Sequence, residues 1–175
     1  AEAADLIPIA AAYGTNASGA FVVDGRVSGL LSGPTVTGTA ALQRLALDGQ
    51  AVGDVGLTHD VTLAEEIAGT ADIRAATKPY GTLTADTAFR LAGDQLTIST
   101  LRASGLDLQA SAKGPLTLDL AGSLAEGRLD WQAANLAALG RVAGTDLAGS
   151  GSGSLVLSAP GGKQAADITA DIAGL

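Results

Sequence analysis

Leu83-Thr84-Ala85-Asp86-Thr87-Ala88-Phe89-Arg90-Leu91 is the stretch that decides the fold. Its large apolar residues stand at odd positions, and its charged residues stand at even ones. Because the side chains of a strand point alternately to opposite faces, this pattern predicts a half-buried strand. The alternation recurs at Leu96–Ile98, Leu106–Leu108, Leu116–Leu120 and Leu129–Trp131. Such strands form a sheet with one apolar face, and something must cover that face.

Turn-forming dipeptides separate these alternating segments. They are Gly93-Asp94, Ser104-Gly105, Gly114-Pro115 and Glu126-Gly127. Glycine, proline and aspartate between alternating segments are typical of turns that connect neighbouring strands. The sequence therefore predicts a series of hairpins.

Further strands precede this central part of the chain. Thr and Val enrichment and alternation predict strands at 20–27, 35–42, 45–47 and 55–63. The intervening turns are predicted at 29–34, 48–49 and 53–54. Two segments stay open at this point: 5–12 is a partial strand or an irregular lead-in, and 64–68 is a helical turn or the rest of a strand.

One short helical segment is predicted near 135–143. Leu136, Leu139 and Val142 have helical spacing, Asn135 is suited to the N-cap, and a glycine at 140 or 144 would end the helix. The Gly/Ser-rich stretch that follows merges into Leu155-Val156-Leu157, which predicts a glycine-weakened strand rather than a linker. A turn at 160–162 and a strand at 167–172 complete the pattern.

The fold class predicted from this pattern is all-β, with roughly ten to twelve strands of about five to nine residues. A sandwich, a barrel and an open, curved, solenoid-like sheet share this pattern. The repetition favours the third, an elongated antiparallel or mixed sheet.

Composition agrees with thin repeated layers. The 175 residues are 47% hydrophobic, but they include 24 glycines and only five aromatic residues, so most apolar side chains are aliphatic. Ten basic residues against eighteen acidic ones give a net charge of −8, without a Lys/Arg cluster. This charge argues against nucleic acid and against an anionic membrane surface as partners. The absence of cysteine excludes disulfides and thiolate chemistry.

No group of residues predicts catalysis. His59 is the only histidine, and no second metal ligand stands at a suitable spacing beside it. Asp107, Asp119 and Asp130 are more typical of a solvated outer face than of a calcium ladder. Glu65 and Glu66 are adjacent and would face opposite ways in a strand. The sequence therefore predicts that the protein is not an enzyme and has neither a metal nor a cofactor.

Two phrases of the sequence resemble the repeat unit of TamB and AsmA-like proteins. The first is Asp130-Trp131-Gln132-Ala133-Ala134-Asn135-Leu136-Ala137-Ala138-Leu139, followed by Leu147-Ala148-Gly149-Ser150-Gly151-Ser152-Gly153-Ser154-Leu155-Val156-Leu157. It is similar to the unit "strand, DL-x-x-L, L-x-G-x-x-x-G-x-L-x-L" of that family. The second is Gly-Pro before a strand, at Gly33-Pro34 and Gly114-Pro115. The resemblance extends from about Gly19 to Leu175.

This resemblance implies a periplasmic protein that is anchored in the inner membrane and folded as a sheet curled into a U-shaped trough with an apolar concave side. In that family the trough is thought to carry phospholipid between the inner and outer membranes. The TamB branch is also linked to outer-membrane protein assembly through an Omp85-type barrel. Residues 1–175 would then be one repeat-like trough segment of a longer protein, because the anchor and the barrel-docking part are not among them.

The predicted lining of the groove consists of large apolar residues at alternating positions. They are Leu83, Phe89, Leu91, Leu96, Ile98, Leu106, Leu108, Leu116, Leu118, Leu120, Leu129 and Trp131. The predicted ligand is the phospholipid acyl chain. The alternative is a structural or adhesive β-solenoid, in which these residues pack against one another and fill a closed interior. A segment taken from within such a sheet would also expose its edge strands, which predicts self-association.

Overall fold

The computed structural model describes residues 2–3, 16–47, 50–77 and 81–174. In this part of the chain, twelve strands form a single antiparallel sheet, and one short α-helix, α1, lies outside it. The strands are β1 Glu2–Ala3, β2 Ala17–Leu30, β3 Gly33–Leu47, β4 Gln50–Leu63, β5 Ile67–Thr77, β6 Gly81–Ala92, β7 Gln95–Gly105, β8 Leu108–Ala112, β9 Leu116–Asp119, β10 Leu124–Ala133, β11 Ser150–Ser158 and β12 Ala165–Ala173, and α1 is Ala137–Ala143. The predicted all-β class is confirmed. The predicted segment 5–12 and the turn at 48–49 lie outside the described residues.

The sheet is a meander in which strands pair with their neighbours in the chain. Strands β8 and β9 lie end to end and share one position between β7 and β10, because β8 pairs with Arg102–Gly105 of β7 and β9 pairs with Gln95–Ile98. The eleven strands from β2 to β12 therefore occupy ten positions across the sheet. Local sequence specifies most of this topology, since most pairings are made by hairpins, whereas β10 and β11 are joined by a longer connection that contains α1.

The strands in the first half are longer than predicted. Strands β2, β3 and β4 have 14, 15 and 14 residues. One reason is that Gly53-Asp54, predicted as a turn, lies inside β4. Opposite this pair, β3 has a bulge at Arg44 (φ 54°), and the Asp54 Oδ1 atom accepts a hydrogen bond of 2.7 Å from the Arg44 backbone N–H. The glycine and the aspartate accommodate a bulge here rather than a chain reversal.

Two more predicted turns, at Ser104-Gly105 and Glu126-Gly127, also belong to strands. In both, the missing glycine side chain makes room for a neighbour's leucine. A Cβ atom on Gly105 would collide with the Leu83 Cδ2 atom, and one on Gly127 would lie 2.5 Å from the Leu116 Cδ2 atom. Glycine inside a strand often marks a close approach of this kind. The predicted turn at Gly93-Asp94 is confirmed, whereas Gly114-Pro115 lies in a bend between β8 and β9, which continue in the same direction along β7.

The predicted strand Leu106–Leu108 was wrong in its first two residues. Leu106 and Asp107 form the two-residue turn between β7 and β8, with φ angles of 57° and 59°. Two positive φ angles are typical of a type I′ hairpin turn, which usually contains Asn-Gly. Leu120 also lies in a turn, directly after β9. The open segment 64–68 is a bend at 64–66 followed by the start of β5.

The predicted short helix is confirmed as α1, and Gly144, with a φ angle of 68°, ends it. The Asn135 Oδ1 atom accepts a hydrogen bond of 2.9 Å from the Ala137 backbone N–H. The helix follows β10, whose last residue, Ala133, is only 1% exposed, whereas Gln132 on the opposite face is exposed. We infer that the connection containing α1 covers the end of one face of the sheet.

The described residues form no closed hydrophobic core. None of the large side chains among them is fully buried, and the buried apolar residues are Ala17, Leu116, Ala133, Leu136 and Ala138. The accessible surface of 10985 Å² is about 1.4 times the roughly 7,800 Å² expected of a compact monomer of 17.1 kDa. The sheet is therefore a single layer over most of its area.

Replacing Leu106 with Asn and Asp107 with Gly should stabilise the protein. A non-glycine residue in the left-handed region costs about 1 kcal/mol or more, and Asn-Gly adopts this turn readily. We expect the free energy of unfolding in urea, followed by Trp131 fluorescence, to rise by about 1 kcal/mol. As a control, Asp94→Gly, in a turn where the aspartate has no positive φ angle, should give no gain. Equal stabilisation by both changes would contradict this turn assignment.

The edge of β12 predicts self-association of the 175-residue chain. In the described structure β12 pairs only with β11, and Ala166–Ala173 are exposed. Unpaired backbone N–H and C=O groups along such an edge are a template for another strand. The sedimentation coefficient should therefore rise with protein concentration. Ala170→Pro should reduce this rise, because the Thr169 carbonyl points toward β11 and the N–H of Ala170, in the same peptide unit, points to the free edge. A sedimentation coefficient typical of a monomer at all concentrations would contradict the prediction.

Candidate functional site

The two faces of the sheet have opposite chemistry, and we call the apolar one the aliphatic face. Its residues are identified by the cross-strand register, because directly opposed residues lie on the same face. One row of opposed residues crosses β2 to β6 as Phe21, Leu42, Val55, Ala75 and Leu83. Every position in this row is apolar.

A second row on the aliphatic face crosses the entire sheet. It consists of Val23, Ala40, Leu57, Ile73, Ala85, Ala103, Ala110, Trp131, Gly153 and Ala170. The row contains neither a charged nor a hydroxyl side chain. This row is therefore a continuous apolar strip across all ten positions. The neighbouring row on the same face, through Gly38, His59, Ala71 and Thr87, adds one imidazole and one hydroxyl.

Most side chains on the aliphatic face are only half-buried. Some are well exposed, including Val27 at 69%, Ile73 at 41% and Ile168 at 72%. Neighbours in the same layer cover the flanks of these side chains, but the described residues supply no second layer above them. A continuous apolar surface of this kind is typical of an interaction site.

Ten of the twelve residues predicted to line a groove lie on the aliphatic face. They are Leu83, Phe89, Leu91, Leu96, Ile98, Leu108, Leu116, Leu118, Leu129 and Trp131. The other two, Leu106 and Leu120, lie in turns at opposite ends of the strands. Whether any of the twelve contacts lipid stays a prediction.

Trp131 packs on two glycines of the aliphatic face, a contact that the sequence did not predict. Its indole ring lies over Gly151 and Gly153 of β11, so that a Cβ atom added to Gly153 would approach the Trp131 Cε2 atom to 2.9 Å. The alternation of glycine and serine in β11 makes this contact possible. The glycines lie on the same face as the tryptophan, and the serines lie on the opposite, polar face. The Gly/Ser-rich stretch is confirmed as a strand, and its glycines have a packing role.

The opposite face, the polar face, carries most of the hydroxyl and charged side chains of the sheet, and several of them pair with one another. The Thr84 and Ser104 hydroxyl oxygens are 2.7 Å apart, and those of Ser154 and Thr169 are 2.9 Å apart. The Asp130 carboxylate accepts a bond of 2.8 Å from the Arg128 Nε atom, and its other oxygen lies 3.8 Å from the Lys113 Nζ atom.

A shallow depression of about 690 Å³ lies on the polar face across β6 to β12. Its lining includes Asp86, Arg102, Lys113, Arg128, Asp130 and Asp171, three acidic and three basic side chains whose charges balance. This curvature brings polar side chains together, so the depression is not an apolar groove. The aliphatic face must be considered as a surface separate from it.

The carboxylates singled out in the sequence are not brought together. Asp107 is in the β7–β8 turn, Asp119 ends β9 and accepts a bond of 2.9 Å from the Gly122 N–H, and Asp130 is paired as described. Glu66 lies in the β4–β5 connection, 3.3 Å from the Arg90 guanidinium. Over the described ranges, no three His, Cys, Asp or Glu residues are grouped so that they could hold a metal ion.

Comparison with protein-family models, curated proteins and solved structures found no match for this chain. The resemblance to TamB and AsmA-like proteins therefore stays a prediction from the sequence phrases that carry it. Among the described residues there is no helix with the length and apolar character needed to cross a membrane.

Gly153→Ala should disturb the packing of Trp131 on the two glycines. The new methyl group would collide with the indole ring and with the Thr169 carbonyl oxygen, and overpacking of this kind typically costs about 1–3 kcal/mol. We expect a lower free energy of unfolding and a changed emission maximum of Trp131, the only tryptophan in the chain.

Gly56→Ala is the matched control, because a Cβ atom there meets only the Arg74 carbonyl oxygen, at 3.8 Å. It should leave the emission spectrum unchanged. Identical spectra for Gly153→Ala and the wild type would show that the indole does not rest on Gly153.

Proposed function

We propose that this chain is a segment of a periplasmic bridge that shields lipid acyl chains on its aliphatic face while phospholipid passes between the inner and outer membranes. The observation that supports the proposal is the continuous aliphatic face, which crosses ten positions without a second protein layer in the described structure. An apolar surface of this extent must be covered in water, and acyl chains are apolar, flexible and long enough to cover it.

The dimensions of the sheet suit this role. Adjacent strands lie about 4.8 Å apart, so ten positions extend over roughly 48 Å. The hydrocarbon core of a bilayer is about 30 Å thick, so one leaflet's acyl chains are shorter still. A lipid tail lying across the strands would therefore be shielded along its full length, with room to move from row to row.

The aliphatic face can bind an acyl chain without a single specific binding site. Each methylene removed from water contributes about 0.8 kcal/mol, so a partly covered tail is held by the sum of many small contacts. Along the row through Leu57 and Ile73 the side chains are branched aliphatics, alanines and glycine, with Trp131 as the only aromatic residue. Such a surface has repeated sites of similar affinity, as movement along the sheet requires.

The wider setting of the proposal comes from the sequence resemblance. We propose a longer protein that is anchored in the inner membrane, with this segment in the periplasm. The resemblance implies a trough with an apolar concave side, but across β6 to β12 the depression lies on the polar face. An Omp85-type barrel would bind to parts of that protein that are not among these 175 residues. The proposed role is binding and shielding, and it includes no chemical reaction.

The alternative is a structural or adhesive β-solenoid whose interior is filled by its own side chains. Leu116 favours it locally, since this residue is only 6% exposed and packs against Gly127. The two functions differ in one measurable respect: lipid reaches the aliphatic face in the first and not in the second.

In-cell photocrosslinking with a benzophenone amino acid at Leu118 should capture phospholipid. Leu118 is opposed by Leu96 and Ala125 on the aliphatic face, whereas its neighbour Thr117 is opposed by Thr97 and Glu126 on the polar face. Both side chains are half-buried, so the pair tests the face rather than general exposure. Mass spectrometry should find lipid adducts at Leu118 and none at Thr117.

A second pair, Leu57 and Thr58, provides a control in the middle of the first half of the sheet. Leu57 is opposed by Ala40 and Ile73, and Thr58 by Thr39 and Asp72. Lipid at both aliphatic positions would support shielding along the sheet. No lipid at either one, in a folded protein, would contradict the proposal and favour the self-filled solenoid.

A further inference from the structure

His59 lies on the aliphatic face in the middle of β4. The register places it opposite Gly38 of β3 on one side and Ala71 of β5 on the other. Leu57 and Val61 precede and follow it on the same face. The imidazole is half-buried, and its immediate neighbours on this face are small or aliphatic.

No other residue on the aliphatic face, within the part of the chain that the structure describes, has an ionisable side chain. The nearest charged residues, Asp60 of the same strand and Asp72 of β5, belong to rows of the polar face. The adjacent residues of β3 on the aliphatic face, Val36 and Ala40, carry no charge. Among the described residues no carboxylate forms an ion pair with His59.

We propose that His59 makes acyl-chain binding to the aliphatic face dependent on pH, an inference that rests on the proposed function. Histidine is the residue whose charge ordinarily changes between pH 5 and 8. A neutral imidazole can be covered by hydrocarbon at modest cost, but a protonated one would be a buried charge without a partner. Acyl chains therefore bind the neutral form of this face and are released from the protonated form.

The sign of the effect follows from linkage. Because lipid binds the neutral form more tightly, bound lipid opposes protonation, and protonation weakens lipid binding by the same factor. Affinity is fully present at high pH and decreases as the pH falls through the range in which the imidazole gains its proton. A lipid carrier with this property would release lipid where the local pH is lower.

The test measures binding of phosphatidylcholine with one pyrene-labelled acyl chain to the 175-residue chain, at pH 8 and pH 5. The headgroup does not titrate over this range, so a change in affinity belongs to the protein. The wild type should bind about tenfold more weakly at pH 5, a coupling of the size usual between two linked binding events. His59→Gln, which stays neutral, should bind equally at both pH values, and His59→Lys should bind weakly at both.

Asp60→Asn is the control for titration of a carboxylate, since Asp60 lies beside His59 on the polar face, and it should keep the pH dependence of the wild type. In addition, the single histidine gives a single imidazole Hε1 resonance, whose pH titration should move to lower pH when the lipid is present. The circular dichroism spectrum of each variant at both pH values shows that the sheet is intact.

The outcomes separate this inference from the function on which it rests. Tight binding at pH 8 with the same pH dependence in the wild type and in His59→Gln would overturn the role of His59 and leave lipid shielding standing. Absence of binding at both pH values by the folded wild type and by His59→Gln would overturn both.

Discussion

The central constraint on this protein is the apolar side of a one-layer sheet. In most β-proteins a second sheet or a helix covers that side, and the covered side chains form the core. Here α1 and its connection cover one end at Ala133, Leu136 and Ala138, while residues such as Val27 and Ile73 stay exposed. Backbone hydrogen bonds and contacts within the layer hold the sheet together. An apolar occupant of the uncovered area would add to this stability by removing its side chains from water.

Glycine is the residue that adapts the layer to its own side chains. Gly105 makes room for Leu83, Gly127 for Leu116, and Gly151 and Gly153 for Trp131. In each case a large side chain gains contact with the backbone of the next strand, which partly replaces the missing second layer. This use of glycine explains why the chain can be rich in glycine and still form long strands. Because Trp131 lies on Gly151 and Gly153, its fluorescence reports the state of this part of the aliphatic face.

The two faces have separate tasks under the proposed function. Several side chains of the polar face pair within the face, as hydroxyls in Ser154 with Thr169 and as an ion pair in Arg128 with Asp130. The aliphatic face leaves apolar side chains exposed to water, and bound hydrocarbon would cover them. His59 and Thr87 are polar residues in one row of that face, and the imidazole of His59 has small or aliphatic neighbours. Its position is more readily understood as a control on what covers the face than as part of the layer itself.

The sequence by itself determined the all-β class, the short helix near 135–143 and the face on which ten of the twelve predicted lining residues lie, because period-two alternation and hairpin connections are local properties. Contacts between strands decided the rest. The glycines at 53, 105 and 127 predict turns, but they lie inside strands. Gly53 lies opposite the bulge at Arg44, and the other two make room for leucines of neighbouring strands. The turn at Leu106-Asp107 was not predicted, because these residues continue an alternating pattern typical of a strand. Their positive φ angles follow from the register of β7 with β8, which leaves only two residues for the turn. Likewise, only the pairing of β10 with β11 placed Trp131 on its two glycines, since the strands are joined by sixteen intervening residues whose path no local pattern fixes.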